Sequence, residues 1–347
     1  MGTVQLTTPD AFLGQLLNQC ERVRAQTQES GISKSDHLRV ALEELLGDFG
    51  KDRPPLDSFL LERVELNEAI RERVAFTTLH GLRMTAYVMI PKRLEQGEKR
   101  PAVLLWHGHG HGSRSLVGLE ADDSSAHPTG KPSDNLALEF ARRGLVALAP
   151  EIVGFGDRRL ERDLRKNPEI RNSCFNLSVS LLMTGKTAAG LRTYEGLRAM
   201  DYLISRDEVD PTRVGNMGHS GGGMVASLSA ALDLRVKASV IGIYPNTYRD
   251  SILSMQHCLC NYIPGVLNHA EMPDLLSLLA PRHLFIEAGI HDAIFPVSAT
   301  EYCISELKRV YHTHGIDERL GSHLFEGKHE VCGERSIDWL SNVLTEL

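Results

Sequence analysis

The chain has 347 residues, 42% of them hydrophobic and 24% charged, which is ample apolar material for a large globular core. Its formal net charge is −7 and its Lys and Arg residues are scattered, so no phosphate-binding stripe and no nucleic-acid partner is expected. No stretch approaches the ~18 apolar residues of a membrane span, and Met1-Gly-Thr-Val-Gln-Leu6 lacks the basic and apolar parts of a leader, so a cytoplasmic setting without membrane partners is expected.

In chain order, Thr8-Pro9-Asp10 reads as a helix start, with an N-cap, a proline at the first helical position and an acid in the first turn. Leu13, Leu16, Leu17, Cys20 and Val23 follow at helical spacing. A second helix is predicted over 36–46, with Leu38, Leu42, Leu45 and Leu46 on one face and Gly47 as its stop. Asp52-Arg-Pro-Pro55 breaks that pattern, so residues 1–71 are read as a helical extension and 72–347 as the catalytic domain. Strand signals begin near Glu72, and the runs 74–78 and 84–90 around His80-Gly81 predict an antiparallel hairpin. The continuous apolar run 102–106 suits a strand covered on both faces. A helix over 133–143, capped by Ser133 and ended by Gly144, leads into a strand over 145–149. Leu197, Met200 and Ile204 mark another helix, and Asp210-Pro211 turns the chain into a strand over 213–217. Met224, Val225, Leu228 and Leu232 form the apolar face of the next helix, and runs at 236–243, 283–286 and 320–325 complete the strands. This alternation predicts an α/β fold, a mostly parallel central sheet flanked by helices.

Between the strand at 213–217 and its following helix lies Gly218-His219-Ser220-Gly221-Gly222, a G-x-S-x-G pattern in strand–turn–helix context. A turn this sharp strains the serine, exposes its Oγ above the sheet, and needs glycine where strand and helix nearly collide. The Gly221 N–H at the helix start can then hold a developing oxyanion. A plain glycine-rich turn or a phosphate loop is the competing reading, but a dinucleotide fingerprint belongs at the first strand–helix turn, far upstream. A nucleophile elbow takes its acid and then its base from later strand ends. Asp292 fits the acid, just past a buried strand in a glycine-containing loop, though a turn-capping role is the alternative; Glu287 lies inside the strand and fits less well. For the base, His329 follows the last strand and is preferred over His323 within it and over His312 and His314 before it. An imidazole there can take the Ser220 proton and return it to a leaving group.

The run His107-Gly-His109-Gly-His111 follows the strand at 102–106. Alternating histidines suggest a metal, yet the interleaved glycines leave the backbone too free to preset a cage, and no carboxylates accompany them. It reads better as an oxyanion loop, with the His109 N–H as second donor and a register shifted by two residues left open. Cysteines 20, 174, 258, 260, 303 and 332 are dispersed and form no disulfide framework. Cys258-Leu-Cys260 without a second pair is a poor zinc site, so structural cysteines are preferred over redox or metal roles, and neither metal nor cofactor is expected.

Further motifs are Phe140-Ala-Arg-Arg-Gly144 before Ala149-Pro-Glu151, Gly154-Phe-Gly-Asp-Arg-Arg159, Asp201-Tyr-Leu-Ile204 before Val209-Asp-Pro-Thr-Arg-Val214, and Tyr262-Ile-Pro-Gly265 before Leu279-Ala-Pro-Arg282. Together with the elbow, acid and base, they make the chain over roughly 74–347 resemble the dienelactone-hydrolase and acetyl-xylan-esterase-like branch of the α/β-hydrolases. Glu151 stands where such relatives often carry Asp. The resemblance implies ester hydrolysis through an acyl-enzyme without a cofactor, on acetylated sugars and related small esters. The expected activity is therefore a serine-dependent carboxylic ester hydrolase acting on a small-molecule ester. Alternatives are cleavage of a carbon–carbon or amide bond by the same fold, a non-catalytic binding or scaffold protein, and a metal hydrolase using His107, His109 and His111. The long insertion 246–274 suits a substrate-lining wall; individual substrate-binding residues and the oligomeric state are left open.

Overall fold

The structure, a computed structural model, describes residues 8–27, 34–50, 52–92, 95, 97–127 and 129–347. The reading of the first six residues as no leader lies outside these. Among the described residues nine strands form one sheet: β1 Phe59–Glu65, β2 Ala69–Leu79, β3 Leu82–Pro91, β4 Arg100–Trp106, β5 Val146–Pro150, β6 Val209–His219, β7 Val236–Gly242, β8 His283–Gly289 and β9 Leu320–Phe325. Their order is β1-β2-β3-β5-β4-β6-β7-β8-β9. Pairing is antiparallel from β1 to β5 and parallel from β5 through β9. The parallel ends are level, with Trp106 opposite Gly218, His219 opposite Gly242 and Gly289 opposite Phe325. The loops leaving β4, β6, β8 and β9 therefore gather on one edge, where open α/β sheets place their sites.

The α-helices among the described residues are α1 Asp10–Thr27, α2 Lys34–Leu46, α3 Leu136–Arg142, α4 Glu161–Lys166, α5 Cys174–Leu182, α6 Ala188–Ile204, α7 Gly221–Leu232, α8 Met272–Ser277, α9 Val297–Thr313 and α10 Ser336–Glu346. Successive strand residues point to opposite faces. On one face Leu104, Trp106, Val214 and Ile286 pack with α2, α6 and α7; on the other Val103, Leu105, Met217 and Phe285 pack with α3 and α10. Helix α2 is part of this core: Leu42 is fully buried, and a Cβ on Gly190 of α6 would lie 2.0 Å from the Leu46 carbonyl oxygen. Helix α1 is peripheral, with Phe12, Leu13 and Leu16 exposed, and it touches the body through Arg24 on the Leu267 carbonyl.

Two local expectations change. The sheet begins at Phe59, ahead of the strand signals near Glu72, because β1 is an edge strand whose residues are nearly all exposed and carry no alternating burial pattern. The helix before β5 is capped by Asn135, whose side chain accepts the Leu138 N–H at 3.0 Å, while Ser133 sits in a 3₁₀ turn over Pro132–Asn135. Pro132 suits the start of that turn and shifts the true N-cap downstream. Among the described residues no helix is long and apolar enough to cross a membrane.

Candidate active site

Strand β6 runs directly into α7 through Ser220, whose φ of 54° and ψ of −123° are a sparsely populated conformation for a non-glycine residue. Its N–H donates to the Gly242 carbonyl at 2.9 Å, which holds the turn against β7. The flanking glycines are required by close approach. A Cβ on Gly218 would lie 2.2 Å from the Gly222 carbonyl oxygen, and one on Gly222 would lie 2.2 Å from that of Trp106. The sharp turn and the tight seating of α7 on β4 thus come from the same residues.

The loops after β8 and β9 bring Asp292 and His329 to this serine. His329 Nε2 lies 2.9 Å from Ser220 Oγ, and His329 Nδ1 lies 2.7 Å from Asp292 Oδ2. The other carboxylate oxygen, Oδ1, accepts the N–H groups of Ile294 at 2.8 Å and Phe295 at 3.0 Å. Burial pushes the Asp292 carboxyl up, but the His329 hydrogen bond and these N–H groups outweigh it and hold it below the usual carboxylate range. An ionised carboxylate only accepts, so Nδ1 carries the imidazole proton and Nε2 is left to accept from the serine hydroxyl. The Phe295 ring stacks on His329 at 5.6 Å between centroids, 15° from parallel, and fixes its plane.

The loop after β4 lies against the elbow. A Cβ on Gly108 would be 3.5 Å from Ser220 Cβ, and one on Gly221 would meet the His109 ring at 2.7 Å. The N–H groups of Gly221 and His109 have no hydrogen-bond partner among the described residues, as expected for Gly221 in the first turn of a helix. The three histidines of the run diverge. His107 is buried, with Nδ1 donating to the Gly108 carbonyl at 2.8 Å and Nε2 facing the Ile152 N–H at 3.0 Å. His109 Nε2 points to Cys260 Sγ at 3.2 Å, and His111 is exposed. Glu151 underpins this loop: its Oε2 accepts from the Ser113 N–H at 3.1 Å and Oγ at 2.8 Å, and its Oε1 lies 3.1 Å from His107 Nε2.

The other candidates lie elsewhere. His323 is on β9 and its Nδ1 has no partner; His312 contacts Asp317; His314 contacts the Val310 carbonyl. Glu287 is fully buried on β8 and accepts from the N–H groups of Cys332 and Gly333, each at 3.1 Å, and from Ser336 Oγ at 2.7 Å. It ties down the loop that carries His329 without touching the imidazole. Two histidines escaped residue-level notice. His219, beside the serine, is buried with its Nε2 3.9 Å from Glu287 Oε1 and without a hydrogen bond among the described residues, and burial holds its imidazole below the usual range. His257 packs edge-on to Phe295 with centroids 5.6 Å apart and also has an unpartnered Nε2. The tripeptide context of His219 and the long insertion around His257 were visible in sequence, but their orientation was not.

Ser220, His329 and His109 open onto a cleft of about 410 Å³, lined further by residues 255–258 of the insertion and by Ile243 and Ile294. Among the described residues that line it, the one charged side chain outside the histidines is Glu330, which pairs with Lys131 at 3.0 Å. Such a cleft can admit a small, uncharged group next to Ser220, His329 and His109.

The profile of the family described as "Abhydrolase family" matches residues 8–320. YtaP of Bacillus subtilis (strain 168), whose name describes it as a hydrolase, is 31% identical over 285 residues, covering 80% of this chain and 88% of its own. A glucuronoyl esterase from Solibacter usitatus superimposes with a TM-score of 0.66 at 17% identity, covering 89% of this chain and 91% of its own. An acetyl xylan esterase from Paenibacillus sp. R4 gives a TM-score of 0.57 at 16% identity, covering 91% and 95%.

Proposed function

The chain belongs to the Abhydrolase family, and we propose that it is a serine-dependent carboxylic ester hydrolase working through an acyl-enzyme. The observation that carries this reading is the unbroken line Ser220–His329–Asp292, with contacts of 2.9 and 2.7 Å. Ser220 Oγ attacks the ester carbonyl while His329 Nε2 takes its proton, and Asp292 stabilises the imidazolium that forms. The N–H groups of Gly221 and His109 take the developing oxyanion; one such donor is typically worth a factor of about 10²–10³ in rate. His329 then protonates the leaving alcohol, and water, activated by the same imidazole, releases the acid.

The cleft's lack of Lys and Arg favours an uncharged acyl group, because an anionic one would be desolvated without a counter-ion. Small neutral esters, acetylated carbohydrates among them, fit this description. The six cysteines, all free, suit a reducing compartment, and the enzyme is read as cytoplasmic. The test is a panel of acetyl, butyryl and anionic succinyl esters, with matched amides and diketones, on the native chain and on Ser220→Ala. Acetyl ester turnover lost on substitution is expected, with the anionic ester slower by at least about tenfold. Retained ester turnover by Ser220→Ala would sink the assignment, and preferential amide or diketone cleavage would redirect it.

A further inference from the structure

Next to the cleft, four metal-ligating side chains from three distant segments converge. His109 comes from the loop after β4, Cys174 is the first residue of α5, and Cys258 and Cys260 belong to the insertion between β7 and β8. One ligand atom from each lies within 4.8 Å of all the others. His109 Nε2 is 3.2 Å from Cys260 Sγ, and the sulfurs of Cys260 and Cys258 are 3.1 Å apart. A tetrahedral zinc ion with bonds of about 2.3 Å to sulfur and about 2.0 Å to nitrogen spaces its ligand atoms about 3.5–3.8 Å apart. These two pairs need to open by roughly half an ångström to match that spacing.

Charge supplies a second, independent observation. Arg192 is fully buried, with Nη2 at 3.2 Å from Cys174 Sγ and 3.1 Å from the Val153 carbonyl, and its guanidinium lies 5.2 Å from the Phe155 ring centre. No carboxylate pairs with it among the described residues. A buried guanidinium without a carboxylate needs another counter-charge. Three thiolates and one divalent ion sum to a single negative charge, which Arg192 neutralises.

We propose that His109, Cys174, Cys258 and Cys260 bind one zinc ion as a closed, structural site. All four positions are filled by protein, so the ion has no open position for a substrate. Its role is to cross-link the β4 loop, the start of α5 and the insertion that walls the cleft. On the reading that the His109 N–H is an oxyanion donor, holding the His109 imidazole also holds that N–H over Ser220. His109 is then a positioning residue through its side chain.

The experiment uses the full chain, purified without chelators, and compares the native protein with Cys258→Ser, Cys174→Ser and Ser220→Ala. Elemental analysis is expected to give about one zinc per native chain, reduced more than tenfold in the cysteine variants. Ser220→Ala should keep its zinc while losing ester turnover, so failure of the metal site and failure of the hydrolase reading give different results. Replacement by Co²⁺ should produce the thiolate-to-cobalt absorption and red d–d bands of a tetrahedral sulfur-rich site, a readout that stands even where a cysteine variant does not fold. A native chain that takes up neither metal overturns the proposal. So does a Cys258–Cys260 disulfide found by mass spectrometry, or full zinc content in the cysteine variants.

Discussion

Asp292→Asn replaces one oxygen by an amide nitrogen, and the structure dictates which one. Oδ1 accepts two backbone N–H groups, from Ile294 at 2.8 Å and Phe295 at 3.0 Å, so the asparagine oxygen must stay there. Its NH₂ group is then forced into the Oδ2 position, 2.7 Å from His329 Nδ1. A donor there makes Nδ1 the acceptor and moves the ring proton to Nε2, which points at Ser220 Oγ from 2.9 Å. The base is now in the wrong tautomer, with no lone pair for the serine proton and no carboxylate behind the imidazolium. Substitutions of this kind in serine enzymes cost about 10⁴-fold in kcat, equivalent to about 5.4 kcal/mol of transition-state stabilisation. The assay is steady-state hydrolysis of p-nitrophenyl acetate, paired with the rate of covalent labelling by a fluorophosphonate and a urea denaturation curve. We expect kcat and the labelling rate to fall by similar factors while KM stays within a few-fold and stability changes little. A loss of activity below about tenfold, with the fold intact, would refute the tautomer argument.

Gly222→Ala places a Cβ 2.2 Å from the Trp106 carbonyl oxygen, a backbone atom that cannot swing aside, so α7 must lift by about 1 Å and kcat/KM should drop roughly 10²-fold with a lower Tm. Full activity at unchanged Tm would show that the elbow tolerates the methyl group. Phe295→Ala removes a fully buried ring that stacks on His329; urea denaturation should show about 3–5 kcal/mol of lost stability, with kcat reduced as the imidazole gains freedom. Glu287→Gln keeps the shape but exchanges charge-assisted bonds to Cys332, Gly333 and Ser336 for neutral ones, for a loss of about 1–3 kcal/mol. Hydrogen exchange should place that loosening in the loop around residues 326–335, and unchanged protection there would remove Glu287 from its supporting role.

The middle of the fold was readable because both of its constraints act locally. Residues 102–106 are covered on both faces and so are written as a continuous apolar run, which needs no partner to be recognised. The amphipathic face of α2 was equally plain, since a helix buried along one stripe repeats it every turn; α7 is instead buried on all sides, so the apolar face read from Met224, Val225, Leu228 and Leu232 is only part of what the core covers. What failed was at the margins. Strand β1 is exposed on an edge, and α10 packs Ile337, Leu340 and Leu344 against the far face of the sheet at a spacing that went unread. The cap on α3 was misplaced by two residues because Ser133 and Asn135 are both good caps, and the choice depends on the 3₁₀ turn between them.

In the site, legibility follows sequence distance and side-chain direction. The elbow is encoded in five consecutive residues, and loops at successive strand ends fall on one edge whatever their length, so Ser220, Asp292 and His329 could be nominated without knowing a distance. The histidine run shows where this logic stops. Alternation along the chain implies one shared face only in a regular strand, and these glycine-separated residues leave the strand, sending His107 to Glu151 and His109 to Cys260. Judged alone, Cys258-Leu-Cys260 lacked a second pair of ligands; the fold provides one from His109 and Cys174, which lie in two different upstream segments, His109 being 151 residues before Cys260. No local pattern ties a histidine in a turn to a cysteine at a helix start. Only the packing of the insertion onto the β4 loop and α5 does, and that packing is also what gives the cleft its wall. The residues that shape substrate access and those proposed to hold an ion are thus one contiguous structure, so loss of metal should widen or disorder the cleft before it disturbs the Ser220–His329–Asp292 line, which rests on β6, β8 and β9 instead.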